Sequence, residues 1–156
     1  MLRIINDILD ITKVEAGKNP LIIEELLVET LIKNMKNLFQ HLASKKSLHF
    51  TIINHLPNVI YTDYYKLTHI IRNLLSNAFK FTSKGAITLT MQSVENEFII
   101  KVVDTGIGMS EKAQAHIFQE FQQADSSTSR KYGGTGLGLS IAQSYAHLLK
   151  GELSVY

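Results

Sequence analysis

The sequence predicts an α/β two-layer sandwich, a mixed β-sheet covered on one face by helices. Two observations predict it. Several stretches carry apolar residues at i, i+3, i+4 and i+7, the spacing of helices that bury one face. Between them lie LHFTIIN (48–54), AITLTMQS (86–93) and EFIIKVVD (Glu97–Asp104), whose alternating or β-branched patterns are those of half-buried strands. Helices and strands interleaved along 156 residues are enough for one sizeable core and too few for two.

Taken in order, Leu2, Ile5, Leu9 and Val14 recur at helical spacing, Ile4, Ile8 and Ile11 broaden the stripe, and Gly17 is the expected C-cap. Asn19-Pro20 breaks the chain there, between residues 1–18 and 19–156. A second helix is expected over 24–45, with Leu27, Leu31, Met35, Leu38 and Leu42 on one face, followed by the strand 48–54. A third is expected over 63–81, its apolar side built from Leu67, Ile70, Ile71, Leu74, Leu75 and Ala78. Ser83-Lys84-Gly85 turns the chain into two strands joined by a short polar turn, a hairpin signal. A loop over 104–109 leads to a short helix ending near Phe121, and the polar, Ser-rich residues 122–132 read as a loop. A last helix is expected over 137–149, stopped by Lys150 and Gly151, with a final strand from Glu152.

Composition excludes several functions. A net charge of +2 without a basic arm gives no reason to expect nucleic acid. No cysteine means no disulfide, thiolate metal site or cysteine nucleophile. No apolar run reaches the roughly 20 residues that cross a bilayer, so no membrane contact is expected of this chain and the expected location is the cytoplasm.

Three elements carry chemistry. Asn73, Asn77 and Lys80 fall at i, i+4 and i+7 on the third helix, with Phe81 next; amide oxygens and an ammonium group suit a metal-bound polyphosphate. Asp104-Thr-Gly-Ile-Gly-Met109 ends a strand with a carboxylate and adds two glycines, Gly106 and Gly108, so that backbone can approach a flat ligand whose amine Asp104 accepts. Gly133, Gly134, Gly136 and Gly138 lead into the last helix, where free N–H groups face phosphate oxygens.

NLLSNAFKFT (73–82), DTGIGM (104–109), IFQEFQQ (117–123) and GGTGLGLSIA (133–142) together resemble the N, G1, F and G2 boxes of the sensor histidine kinases, which share the Bergerat ATP-binding fold with gyrase B, the Hsp90 chaperones and MutL. The resemblance implies ATP and Mg²⁺ as ligands. It implies that Asn77 ligates Mg²⁺ with Asn73 beside it, that Lys80 meets phosphate and Phe81 flanks the adenine. Asp104 would read the adenine amino group, with Gly106 and Gly108 lining the base pocket. Gly134, Thr135, Gly136, Leu137 and Gly138 would close over the triphosphate, Arg130 would reach the γ-phosphate, and 124–132 would be a lid. Phe118 and Phe121 read either as plugs anchoring that lid or as residues with a direct role.

Family members that hydrolyse ATP or phosphorylate serine carry a glutamate one helical turn before the metal-binding asparagine; here that residue is Asn73. Without a general base the favoured acceptor is a histidine, whose neutral imidazole needs none at neutral pH. None of His41, His49, His55, His69, His116 and His147 sits in the family's phosphoacceptor motif, so all six read as surface or packing residues and the acceptor is expected outside this chain. Residues 1–18 resemble the end of the second dimerisation helix, and the family's last hairpin is not found after Tyr156, which leaves an exposed sheet edge as an expectation. The partners implied are the phosphoacceptor domain of the same protein, a response regulator receiver domain and a second copy of a homodimeric parent, which can be membrane-anchored. The alternatives are a nucleotide-binding module without kinase activity and an ATPase of the gyrase or chaperone type.

Overall fold

The computed structural model describes residues 12, 19–95, 97–119 and 136–156, so the expected helix over 1–18, Thr12 apart, and the polar segment 122–132 lie outside the described residues. The elements are β1 (Glu24–Leu27), α1 (Val28–Lys46), β2 (His49–His55), β3 (Val59–Thr62), α2 (Tyr64–Phe81), β4 (Ala86–Val94), β5 (Glu97–Asp104), α3 (Glu111–Gln114) and α4 (Gly138–Leu148). Strand β4 pairs in parallel with β2 and antiparallel with β5, which gives the expected mixed sheet in the order β2-β4-β5. Strands β1 and β3 form a separate antiparallel pair.

One layer of helices covers one face of this sheet. Leu31, Met35, Phe39 and Ala43 of α1 and Leu67, Ile71, Leu75 and Phe79 of α2 pack on Ile87, Leu89 and Met91, the inward-facing alternate residues of β4. Phe39 and Phe79 stack with ring centroids 5.3 Å apart, and Phe50 of β2 meets both edge-on. A second apolar cluster joins Ile70 of α2 to Leu137, Ile141, Ala142, Tyr145 and Ala146 of and around α4. Helix α2 is therefore packed on two sides, by the sheet core and by α4.

Three expectations are corrected. Residues 24–27 form β1 rather than the start of a helix, because they pair with β3 from Glu24↔Thr62 to Leu27↔Val59. The helix phase is then set by Val28, so Leu27 and Leu38 are 55% and 50% exposed while Val28 and Phe39 are buried. The final strand from Glu152 does not form. Lys150 adopts a left-handed φ of 61°, and the amides of Lys150 and Gly151 bond back to the carbonyls of His147 and Ala146, a Schellman cap that turns the chain so that Leu153 packs on the α2/α4 cluster.

The start of α2 is tied to the segment before β1. Asp63 caps the helix by accepting from Lys66 N at 3.0 Å, and its other oxygen accepts from Ile22 N at 3.0 Å and from Lys66 Nζ at 2.8 Å. Lys66 Nζ also donates to Pro20 O at 2.9 Å. Burial opposes the Asp63 carboxylate, but the Lys66 ammonium and the two amides outweigh it and hold its pKa below the ordinary carboxylate value.

Candidate functional site

The site is assembled where the end of α2, the loop after β5 and the start of α4 meet. Thr82 leaves α2 as its C-cap, in extended conformation, with its amide bonded to Ala78 O and its side chain 1% exposed. Its hydroxyl donates to Asp104 Oδ1 at 3.2 Å, and Gly106 N donates to the same oxygen at 2.8 Å. Among the described residues nothing donates to Oδ2 of this exposed carboxylate, which is left as an acceptor for an incoming donor.

The two loop glycines serve different purposes. A Cβ at Gly106 would lie 2.6 Å from both Asp104 Oδ1 and the Phe81 carbonyl oxygen, so only glycine lets the loop close against α2; Ile107 N then bonds Phe81 O at 3.4 Å. Gly108 has open space around it but a φ of +68°, a backbone conformation that glycine adopts without steric penalty. Ile107 and Met109, 65% and 41% exposed, leave an apolar surface beside Asp104, suited to the face of a flat ring.

Along α2, Asn73 is buried, whereas Asn77, Lys80 and Phe81 are half-buried. The expected stripe opposite the leucines is thus only partly open. Asn73 Nδ2 lies 2.9 Å from His69 Nδ1, and a Cβ at Gly138 would meet Asn73 Oδ1 at 2.8 Å, so the first residue of α4 rests directly on this amide. Lys80 Nζ sits 4.9 Å from the Phe81 ring centroid. Gly136 turns the chain with a φ of +73°, Leu137 is buried in the α4 cluster, and among the described residues no side chain caps the start of α4, whose first-turn amides suit an anionic acceptor. Arg130, Gly134 and Thr135 lie outside the described residues, as does Phe121; Phe118 is half-buried.

Sequence reasoning missed Thr82, Lys46 and His69 as parts of this assembly. Lys46, in the last turn of α1, donates through Nζ to the carbonyls of Phe79 and Thr82 at the end of α2. Thr82 carried a signal, a hydroxyl immediately after Lys80-Phe81; Lys46 and His69 carried none. His69 packs between Tyr65 and Tyr145, with ring centroids 6.0 and 5.2 Å away, while His41, His49, His55, His116 and His147 are exposed.

Among the described residues no helix is long and apolar enough to cross a membrane, and no group of three or more His, Asp or Glu side chains is placed to hold a metal alone. Residues 62–156 match the family model described as histidine kinase-, DNA gyrase B-, and HSP90-like ATPase. Over 99% of its length the chain is 36% identical to the autoinducer 2 sensor kinase/phosphatase LuxQ of Vibrio cholerae, and over its full length 38% identical to the signal transduction histidine-protein kinase BarA of Escherichia coli K12. It spans 19% and 18% of those relatives. The solved structure of full-length ShkA with AMPPNP is similar with a TM-score of 0.83 and 29% identity, over 98% of this chain and 33% of that one. The chain thus belongs to the histidine kinase-, gyrase B- and HSP90-like ATPase family, as the catalytic ATP-binding module of sensor histidine kinases.

Proposed function

We propose that this chain binds ATP with Mg²⁺ and donates the γ-phosphoryl group to a histidine supplied by another part of its parent protein. The observation that carries the reading is the exposed Asp104 carboxylate, one oxygen held by Thr82 and Gly106 and the other without a donor among the described residues, with the exposed Ile107 and Met109 following in the same loop. An adenine amino group donates to the open oxygen while the ring lies on the apolar surface. Phe81 flanks the base, and Gly106 and Gly108 line its pocket.

Asn77 fits a magnesium ion of the kind held by one or two protein oxygens plus substrate phosphates, which needs no cage of carboxylates. When bound, that ion neutralises phosphate charge. Lys80 and Arg130 add positive charge at the transferred group, and the backbone of Gly134, Thr135, Gly136, Leu137 and Gly138 cradles the phosphates at the start of α4. Helix α2 contains no Asp or Glu, and Asn73 is an amide engaged by His69 and packed against Gly138, so no carboxylate on α2 stands ready as a general base. A neutral imidazole acceptor requires none. The chemistry is positioning and charge neutralisation.

In the parent we propose a homodimer working at the cytoplasmic side, with the acceptor histidine on a dimerisation domain and a response regulator as the next recipient. The test is thermal unfolding with saturating MgATP, MgADP and MgGTP. A ligand at about 100 times its dissociation constant adds roughly 2.7 kcal/mol. A shift with adenine nucleotides alone, losing its magnesium dependence in Asn77→Ala, supports the reading. A cooperative melt that no nucleotide moves sinks it. Steady ATP hydrolysis abolished by Asn73→Ala points instead to an ATPase.

A further inference from the structure

Asp104 reads a base only if its carboxylate is turned the right way, and the torsion that turns it is broad. Gly106 N alone pins one oxygen but leaves the plane of the group free to swing. Thr82 supplies the second tether on that same oxygen, from a hydroxyl 1% exposed. Thr82 is in turn held from behind, because Lys46 Nζ donates to its carbonyl at 3.5 Å and to that of Phe79. A line of contacts therefore runs from the last turn of α1, through the end of α2, to the outward oxygen of Asp104.

We propose that Thr82 is a positioning residue for base recognition: with its backbone carbonyl held by Lys46, its buried hydroxyl fixes one oxygen of Asp104 so that the other is presented to the exocyclic amine of adenine. The inference rests on the reading of Asp104 as the adenine acceptor. A hydroxyl is required because it donates; valine fills the same volume but donates nothing.

The experiment compares, by calorimetry on this chain with Mg²⁺, the affinities for ATP and for purine riboside triphosphate, which lacks the exocyclic amine. Wild type, Thr82→Val, Thr82→Ser, Asp104→Asn and the Thr82→Val/Asp104→Asn double variant are measured, with urea unfolding as the check on folding. Wild type should prefer ATP by about tenfold, the worth of a hydrogen bond to a charged group. Thr82→Val should remove most of that preference by weakening ATP alone, Thr82→Ser should restore it, and in the Asp104→Asn background Thr82→Val should change the ratio no further. If Thr82→Val folds and weakens both ligands equally, or neither, Thr82 is merely structural and the inference is overturned. If Thr82→Val does not fold, Lys46→Met decides, a smaller loss of preference supporting the anchor and an unchanged ratio overturning it. A wild-type chain that binds ATP no better than the analogue, or binds neither, overturns the Asp104 reading itself and the inference with it.

Discussion

The first residue of α4 and the middle of α2 are in contact through one amide: a Cβ on Gly138 would stand 2.8 Å from Asn73 Oδ1. Asn73 cannot easily move aside, because it is buried and its nitrogen is engaged by His69. Gly138→Ala should push α4 away from α2, lowering stability by about 1–3 kcal/mol as overpacking does. Alanine's better helix propensity offsets part of that. Because the start of α4 borders the proposed phosphate site, nucleotide affinity should fall as well, which calorimetry checks; unchanged affinity and stability would show that the close approach is not tight.

Gly106 and Gly108 are separated by one residue yet should respond differently to alanine. At Gly106 the new methyl meets the Phe81 backbone and the Asp104 carboxylate at 2.6 Å, so the loop must leave α2, with a loss of about 2–3 kcal/mol. At Gly108 there is room, and the cost is the left-handed φ alone, about 1–2 kcal/mol. Urea unfolding ranks the two, and equal losses would mean that the loop does not close on Phe81 in solution.

Lys150, not Gly151, occupies the left-handed position that ends α4. Lys150→Gly should relieve about 1–2 kcal/mol of backbone strain and lose part of it to the greater freedom of glycine in the unfolded chain. The expected outcome is a net stabilisation of about 0.5 kcal/mol, seen as a higher urea midpoint.

Asp63 has a depressed folded pKa, so its contribution to stability is fully present above the unfolded value of about 3.9 and is lost as pH falls through the lower folded value. Wild type should therefore lose stability below about pH 4 more steeply than Asp63→Asn. At neutral pH, Asp63→Asn keeps a capping oxygen but strips a 3%-exposed Lys66 of its counter-charge, with an expected loss of about 3 kcal/mol. Parallel pH curves for the two proteins would show that the pair is not formed.

Short-range pattern determined much of this protein. The 3.6-residue period placed α2 and α4, the alternation in 86–104 placed the β4–β5 hairpin, and the sequence singled out Asn73 and Gly138, which the fold brings into contact, because periodicity and glycine freedom act within a few residues. Strand β3 went unpredicted, although NVIYT, with β-branched and aromatic residues between Pro57 and Asp63, carries the local signal of a strand. Only the tertiary structure decided that β1 is a strand, since its reason for being one is β3, more than thirty residues away by the Glu24↔Thr62 pairing. The same holds for Asn73, which becomes a buried contact only when α4 arrives, for Leu153, drawn onto the α2/α4 cluster instead of into a strand, and for Lys46, which reaches the end of α2 across 36 residues. Such partners meet through packing of whole elements, which no local spacing encodes.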